Sequence, residues 1–311
     1  MANPLQVALL HWYAANQVPT KFAAGGYSIA VAFDGESIWV TNAGSDSNNV
    51  MKFRASDGLP LGTFHVGTEP SGIAFDGANL WVTNQGSNNV TKIRAYDGYI
   101  YSPPVSLGVG SSPIGVAFDG SQIWVASRVF PQNSSVGYVS TIQPITSSVG
   151  NQIDVGIAPL GLAFDGANMW VANSGSNNVM KLNLAQGSAG ITILGTFAVG
   201  TTPAYLAFDG TNMWVTNSGS NNVTKLSLNG QVLGTFAVGI GPLGIAFDGV
   251  NMWVANYGSN SVTQLSLSGQ VLNTFGKGMG MDGPWGVAFD GAHMWVANQY
   301  KSSSAGFVYK L

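Results

Sequence analysis

Short apolar runs recur along the whole chain, each closed by Asn, Gly, Ser or Asp. Residues 203–239 show the pattern cleanly: PAYLAFDG, TNMWVTN, SGSNN, VTKLSL, NG, QVLGTFAVG. Four runs rich in Val, Leu, Ile, Phe and Trp, with turn residues between them, predict four consecutive antiparallel strands, A to D. No stretch places its apolar residues at helical spacing. The FDG that ends strand A predicts a turn in which Asp caps the following backbone and Gly takes positive φ. Asn229 and Gly230 predict a tight hairpin from strand C into strand D.

This unit repeats. AFDG begins at Ala32, Ala74, Ala117, Ala163, Ala207, Ala246 and Ala288, at spacings of 42, 43, 46, 44, 39 and 42 residues. Four strands at such a period are the mark of a propeller blade. Strand B carries Trp39, Trp81, Trp124, Trp170, Trp214, Trp253 and Trp295 at one equivalent position. These rings, with the Phe of AFDG, are expected to pack between neighbouring blades. The seventh repeat runs through FVYKL at 307–311 and stops after strand C. Residues 13–25 (YAANQVPTKFAAG) align without gaps to 227–239 (SLNGQVLGTFAVG). The N-terminal segment is therefore predicted to complete the last blade, closing the ring and removing exposed sheet edges. Residues 7–13 also resemble strand C and compete with 307–311 for that place. The expected fold is all-β: a single domain over 1–311, a seven-bladed β-propeller of four-stranded antiparallel blades, closed by an N-terminal outer strand.

Composition narrows the partners. Only 8% of residues are charged, against about a quarter in ordinary domains, so the surface must be built mainly from Asn, Ser, Thr, Gln and Gly. The net charge is −3, and 11 scattered Lys and Arg do not form the basic stripe that nucleic-acid binding needs. Absence of cysteine removes disulfides, a thiolate nucleophile and a thiolate metal site. The N-terminal MANPLQVALLHWYAAN has no basic flank and falls short of the ~20 apolar residues of a membrane span. It is read as neither signal peptide nor span, and the protein is expected to be a monomer.

The motif WVTN-x-GSNN-VTK, followed by VG-x-x-P-x-G-I-A-F-D, resembles the YVTN and NHL classes of propeller repeat. Over essentially its whole length the chain is also similar to the seven-bladed streptogramin lyases of the virginiamycin B lyase type. The first resemblance implies an extracellular or cell-surface interaction protein. The second implies metal-assisted elimination, with histidines and a glutamate at the top of the central channel. The three histidines do not follow that pattern: His293 falls in an A–B turn on the opposite face, His65 in an outer strand, His11 in the N-terminal segment. No cofactor is expected, and a divalent metal enters only under a lyase alternative with a rearranged site.

Propellers present the D–A and B–C connections on one face, where ligands usually bind. The two positions after the start of strand A, from Ile29 and Ala30 around to Trp285 and Gly286, are expected to line the channel mouth with apolar or small residues. The seven AFDG aspartates are expected to cap turns. The Asn residues ending strand B are read mainly as turn chemistry, although amides can also bind sugars or peptide backbone. Departures from the repeat carry more information. SRVFPQNSSVGY at 127–138 brings Arg128 and Phe130 to the ligand face, and NQYKSSSAG at 298–306 brings Tyr300 and Lys301. The long connection GKGMGMDGPWG carries Lys277, Met279, Met281, Asp282 and Trp285, while Tyr205 and Tyr257 interrupt the pattern in repeats 5 and 6. Aromatic and Arg side chains on a rigid rim are the types that anchor ligands. The candidate ligand-binding residues are Arg128, Phe130, Tyr205, Tyr257, Trp285, Tyr300 and Lys301, with no catalytic or metal-ligating residue assigned. Low charge favours a neutral ligand (glycan, peptide or small molecule) or a protein partner.

Overall fold

The structure, a computed structural model, describes residues 20–44, 46–129, 136–184, 190–276, 278–299 and 306–311. Seven four-stranded sheets are assembled from consecutive antiparallel strands. Blade 5 is typical: Pro203–Phe208, Met213–Asn217, Asn222–Leu226 and Val232–Ala237 run from the innermost strand A to the outermost strand D. The seventh sheet takes its strands A to C from Pro284–Phe289, Met294–Asn298 and Gly306–Lys310. Its outer strand is Thr20–Gly25, paired with Gly306–Lys310 from Thr20↔Lys310 to Gly25↔Gly306. Ring closure thus follows the sequence alignment over the described residues; residues 7–13 lie outside them, as does His11. Among the described residues no helix is long and apolar enough to cross a membrane.

The core lies between blades, because each sheet is apolar on both faces. Trp39 of blade 1 packs with Ile73, Leu80, Val82 and Ile93 of blade 2, and Trp295 of blade 7 packs with Ile38, Val40 and Phe53 of blade 1. Five of these indoles also meet a Phe of their own blade's outer strand, at 5.2 to 5.7 Å between ring centroids: Trp39–Phe64, Trp170–Phe197, Trp214–Phe236, Trp253–Phe275 and Trp295–Phe22.

The FDG turn does more than cap itself. In blade 5, Asp209 Oδ1 accepts the backbone N–H groups of Thr211 and Asn212, while Oδ2 accepts the indole N–H of Trp214 at 2.7 Å. Each of the other six blades repeats the carboxylate–indole bond at 2.6 to 2.7 Å. A Lys on strand C lies over the same indole in five blades, and its ammonium donates to a C–D turn carbonyl of the next blade: Lys52 to Ala95, Lys92 to Pro144, Lys181 to Leu228, Lys225 to Leu267 and Lys310 to Ala55. Thr141 and Gln264 occupy the equivalent register in blades 3 and 6. In blades 4 and 5 that Lys also lies 3.5 and 4.0 Å from the turn carboxylate, so one acidic residue there fixes its own blade and, through Lys, the next.

The Asn229–Gly230 hairpin is wider than predicted. Leu226 pairs with Val232, so five residues form the connection, with Gly230 at φ 82 donating to Ser227 O. A bulge between Lys225 and Leu226 displaces the register that a two-residue turn would require. Gly230 is held at this place by its neighbour as well, since a Cβ there would enter the ring of Phe197 in blade 4.

Strand A of adjacent blades comes close at its third position. A Cβ on Gly115 would fall inside the van der Waals shell of the Leu160 carbonyl oxygen, and Gly72, Gly244 and Gly286 face backbone of the next blade in the same way. Gly115→Ala is expected to destabilise the protein by about 3 kcal/mol, the upper end for overpacking, because backbone cannot rotate aside. Urea denaturation checks this, and a loss below about 1 kcal/mol would mean that the inner strands slide apart freely.

Candidate ligand site at the channel mouth

A local irregularity aims side chains at the mouth. In blade 5, Pro203 pairs with Asn217 and Leu206 with Val215, which leaves Ala204 and Tyr205 opposite Thr216 alone. Thr216 fills the gap: its hydroxyl accepts the Tyr205 N–H at 3.0 Å and donates to Leu243 O of blade 6 at 2.7 Å. The same register shift occurs at the start of strand A in every blade. It follows that the third and fourth positions form the channel wall, joined at the second position by Ile29, Ile114 and Trp285. The expectation that the second position lines the mouth all round is corrected for Ser71, Leu160, Ala204 and Leu243, which do not border the cavity. The wall encloses a cavity of about 210 Å³ bordered mainly by Ile, Leu, Val and Gly, far more than the ~10–15 Å³ one water needs.

Two polar aromatic residues interrupt this apolar wall. Trp285 of blade 7 donates its indole N–H to the Tyr205 hydroxyl of blade 5 at 3.3 Å. Tyr257, just past strand B of blade 6, meets the Trp285 ring edge-on at 5.2 Å and 76°. Arg128 lies just past strand B of blade 3, where its backbone N–H donates to Ser112 O at 3.2 Å. Its side chain is half-buried, and its Nε has no hydrogen-bond partner. Burial pushes the Arg128 guanidinium down, against an opposing pull from Tyr205. Burial pushes the Tyr205 phenol up, opposed by the Trp285 bond and by Arg128. Tyr205 keeps partial contact with the channel, yet protein surrounds its ring, so desolvation dominates. The Tyr257 phenol is also raised, first by burial and then by Asp282 and Tyr27.

Four of the seven sequence candidates are thus described, and they come from blades 3, 5, 6 and 7. Phe130, Tyr300 and Lys301 lie outside the described residues, as does Lys277. Tyr27 was not among the candidates. It holds the position just before strand A, where positive φ recurs around the ring from Glu69 to Thr202; a tyrosine in that glycine-like slot is the signal that could have found it.

The Asn side chains that end strand B are buried. Asn84 is fully buried and donates to Asn89 Oδ1 and Thr91 Oγ1, both at 2.8 Å. Asn88, at φ 55, accepts the N–H of Ser112 in the next blade, and Asn48, Asn177, Asn221 and Asn260 make the same bridge. Turn and interblade bonding therefore account for the loop Asn carbonyls and the strand-B amide N–H groups, while Oδ1 of Asn84, Asn173, Asn217 and Asn256 is buried without a partner. In blade 3, Ser127 replaces the buried Asn and is too short for the bridge, so both Ser127 Oγ and Ser140 Oγ lack partners.

His65 ends an exposed outer strand, and His293 sits in its A–B turn with Nδ1 3.6 Å from Asp290 Oδ2. Among the described residues, no three His, Cys, Asp or Glu side chains converge in a way that could hold a metal. In fold and site the protein is a seven-bladed β-propeller with a mostly apolar channel and a polar aromatic mouth. No family model and no curated protein sequence matches the chain. Solved structures do, and they make it a streptogramin lyase-like propeller in fold. Selenomethionine-substituted virginiamycin B lyase from Staphylococcus aureus matches with TM-score 0.72 and 17% identity over 94% of this chain and 99% of that one. A streptogramin B lyase structure gives 0.71 and 15% over 94% and 97%. A functionally unknown protein from Desulfotomaculum acetoxidans DSM 771 gives 0.67 and 15% over 84% and 88%. At these identities the likeness establishes the shared architecture.

Proposed function

We propose that this protein is a non-catalytic binding propeller whose ligand enters at the D–A and B–C face and seats at the channel mouth. The observation that carries this reading is convergence: Arg128, Tyr205, Tyr257 and Trp285 come from four blades and depart from the repeat, which otherwise places small, amide or aliphatic residues there. Rigid aromatic groups over an apolar cavity supply contact area at little cost in side-chain entropy. Among the described residues the inner wall offers Tyr205 as its one titratable side chain, which suits recognition better than proton transfer. The low charge and the YVTN and NHL resemblance fit a small molecule, glycan, peptide or protein partner met outside the cell or at its surface, with no cofactor.

Screening small-molecule, glycan and peptide libraries against the wild type and a Tyr257→Ala/Trp285→Ala double variant tests the reading. Ligands found with the wild type should lose about a hundredfold in affinity in the variant, as for two anchor residues. Undiminished binding would move the site elsewhere. The whole-length fold likeness to two streptogramin lyases supports one other reading, a metal-assisted lyase with a rearranged site. Turnover of a streptogramin B substrate that stops with a chelator would establish it and overturn the binding reading.

A further inference from the structure

Each described Lys or Arg other than Arg128 has a partner for its charge. Arg54 and Arg94 face Asp57 and Asp97, Lys52, Lys92, Lys181, Lys225 and Lys310 are held by turn carbonyls, and Lys21 lies over Phe307. Arg128 is the exception, and its place just past strand B is the one that Tyr257, in edge contact with the cavity-lining Trp285, holds in blade 6. The Tyr205 hydroxyl accepts from Trp285 Nε1. An indole N–H can only donate, so the phenol keeps its own proton to give. Beside Arg128, the buried hydroxyls of Ser111 and Ser112 also lack partners. Arg128 and Tyr205, close enough to act on each other's charge, are therefore two donors left unused at the mouth. Beneath it the cavity wall is aliphatic, with Ile29, Ile73, Ile114, Leu162, Leu206 and Ile245.

We infer that the mouth binds a small apolar carboxylate, its anionic head taken by Arg128 and the Tyr205 hydroxyl and its body lodged in the aliphatic cavity. The inference rests on the binding reading above and sharpens it, replacing the neutral ligand that the composition favoured with a singly charged one. A carboxylate accepts from several donors at once and pairs with a half-buried guanidinium, whereas a neutral amide brings no counter-charge. Among the described residues, Asp282 is the carboxylate that acts on Tyr257, from the connection between blades 6 and 7, and no carboxylate acts on Arg128.

Phenylacetate and its neutral isostere phenylacetamide separate the possibilities. Titration calorimetry on the wild type, Arg128→Gln, Tyr205→Phe and Trp285→Ala is expected to show the acid binding about tenfold or more tighter than the amide to the wild type. Arg128→Gln should erase that preference, and an unchanged circular dichroism spectrum and Tm show that the variant is folded. Tyr205→Phe should reduce the preference in part. Equal affinity for acid and amide in the wild type, or an unaltered preference in Arg128→Gln, overturns the carboxylate inference. In those cases the mouth remains the binding site provided that Trp285→Ala weakens both probes. Failure of the wild type to bind either probe overturns the inference, and an unchanged result in Trp285→Ala overturns the site reading itself.

Discussion

Asp165→Ala should lower the unfolding free energy by about 3–5 kcal/mol, the range for removing one member of a buried charged network. The Asp165 side chain is 1% exposed. It accepts the N–H groups of Ala167 at 2.9 Å and Asn168 at 2.6 Å, and the Trp170 indole at 2.7 Å. Lys181 Nζ lies 3.5 Å away and simultaneously holds Leu228 O of blade 5. Alanine would strand a fully buried indole N–H and leave the ammonium without its counter-charge, so the loss reaches two blades. Urea denaturation at neutral pH measures it; a change below about 1 kcal/mol would show that water replaces the carboxylate without penalty. Acid should act on the same clamp. Burial by itself raises the Asp165 carboxyl, but the indole, the two backbone N–H groups and Lys181 outweigh it, and the net shift is downward from 3.8. Asp76, Asp209 and Asp290 are lowered from 3.8 for similar reasons. A depressed carboxyl contributes stability above its unfolded value and loses it as pH falls through the folded one. Stability should therefore hold down to about pH 4 and fall below it, with a shallower fall in Asp165→Ala.

Deleting residues 1–25 should cost still more, at least about 5 kcal/mol or on the order of 10 °C in Tm. Thr20–Gly25 is the outer strand of blade 7. Ala24 is fully buried, and Phe22 stacks on Trp295 at 5.7 Å while its ring covers Gly58 of blade 1. Removing the strand opens the ring at its seam and bares the edge of Gly306–Lys310, a template for pairing with another chain. Differential scanning calorimetry of the truncated protein, with and without a synthetic peptide of residues 13–25, checks the assignment. Partial recovery of Tm with the peptide is expected. An unchanged Tm on truncation would show that the ring is closed without this strand.

Much of the fold was legible because each blade repeats the same local chemistry. FDG specifies a turn, the strand-B Trp specifies a filled interblade layer, and the ungapped match of 13–25 to 227–239 specifies closure. The Asn229–Gly230 hairpin was less legible, because a bulge at Lys225 sets a register that a dipeptide preference does not encode. The site was legible only as a set of departures from the repeat. Arg128, Tyr205, Tyr257 and Trp285 stood out singly, but nothing in their spacing, from 28 to 77 residues between successive members, indicated contact.

The sequence by itself determined seven blades, their strand order, the closing strand and the structural role of the aspartates, all consequences of short-range periodicity. Only the tertiary structure decided that Asn48, Asn88, Asn177, Asn221 and Asn260 are spent on bonds to the next blade, that Trp285 reaches Tyr205 across blade 6, and that Arg128 is left without a counter-charge. Those outcomes depend on how close the ring brings residues remote in sequence, and that distance is set by the packing of Trp, Gly and Lys between blades rather than by any one blade's pattern.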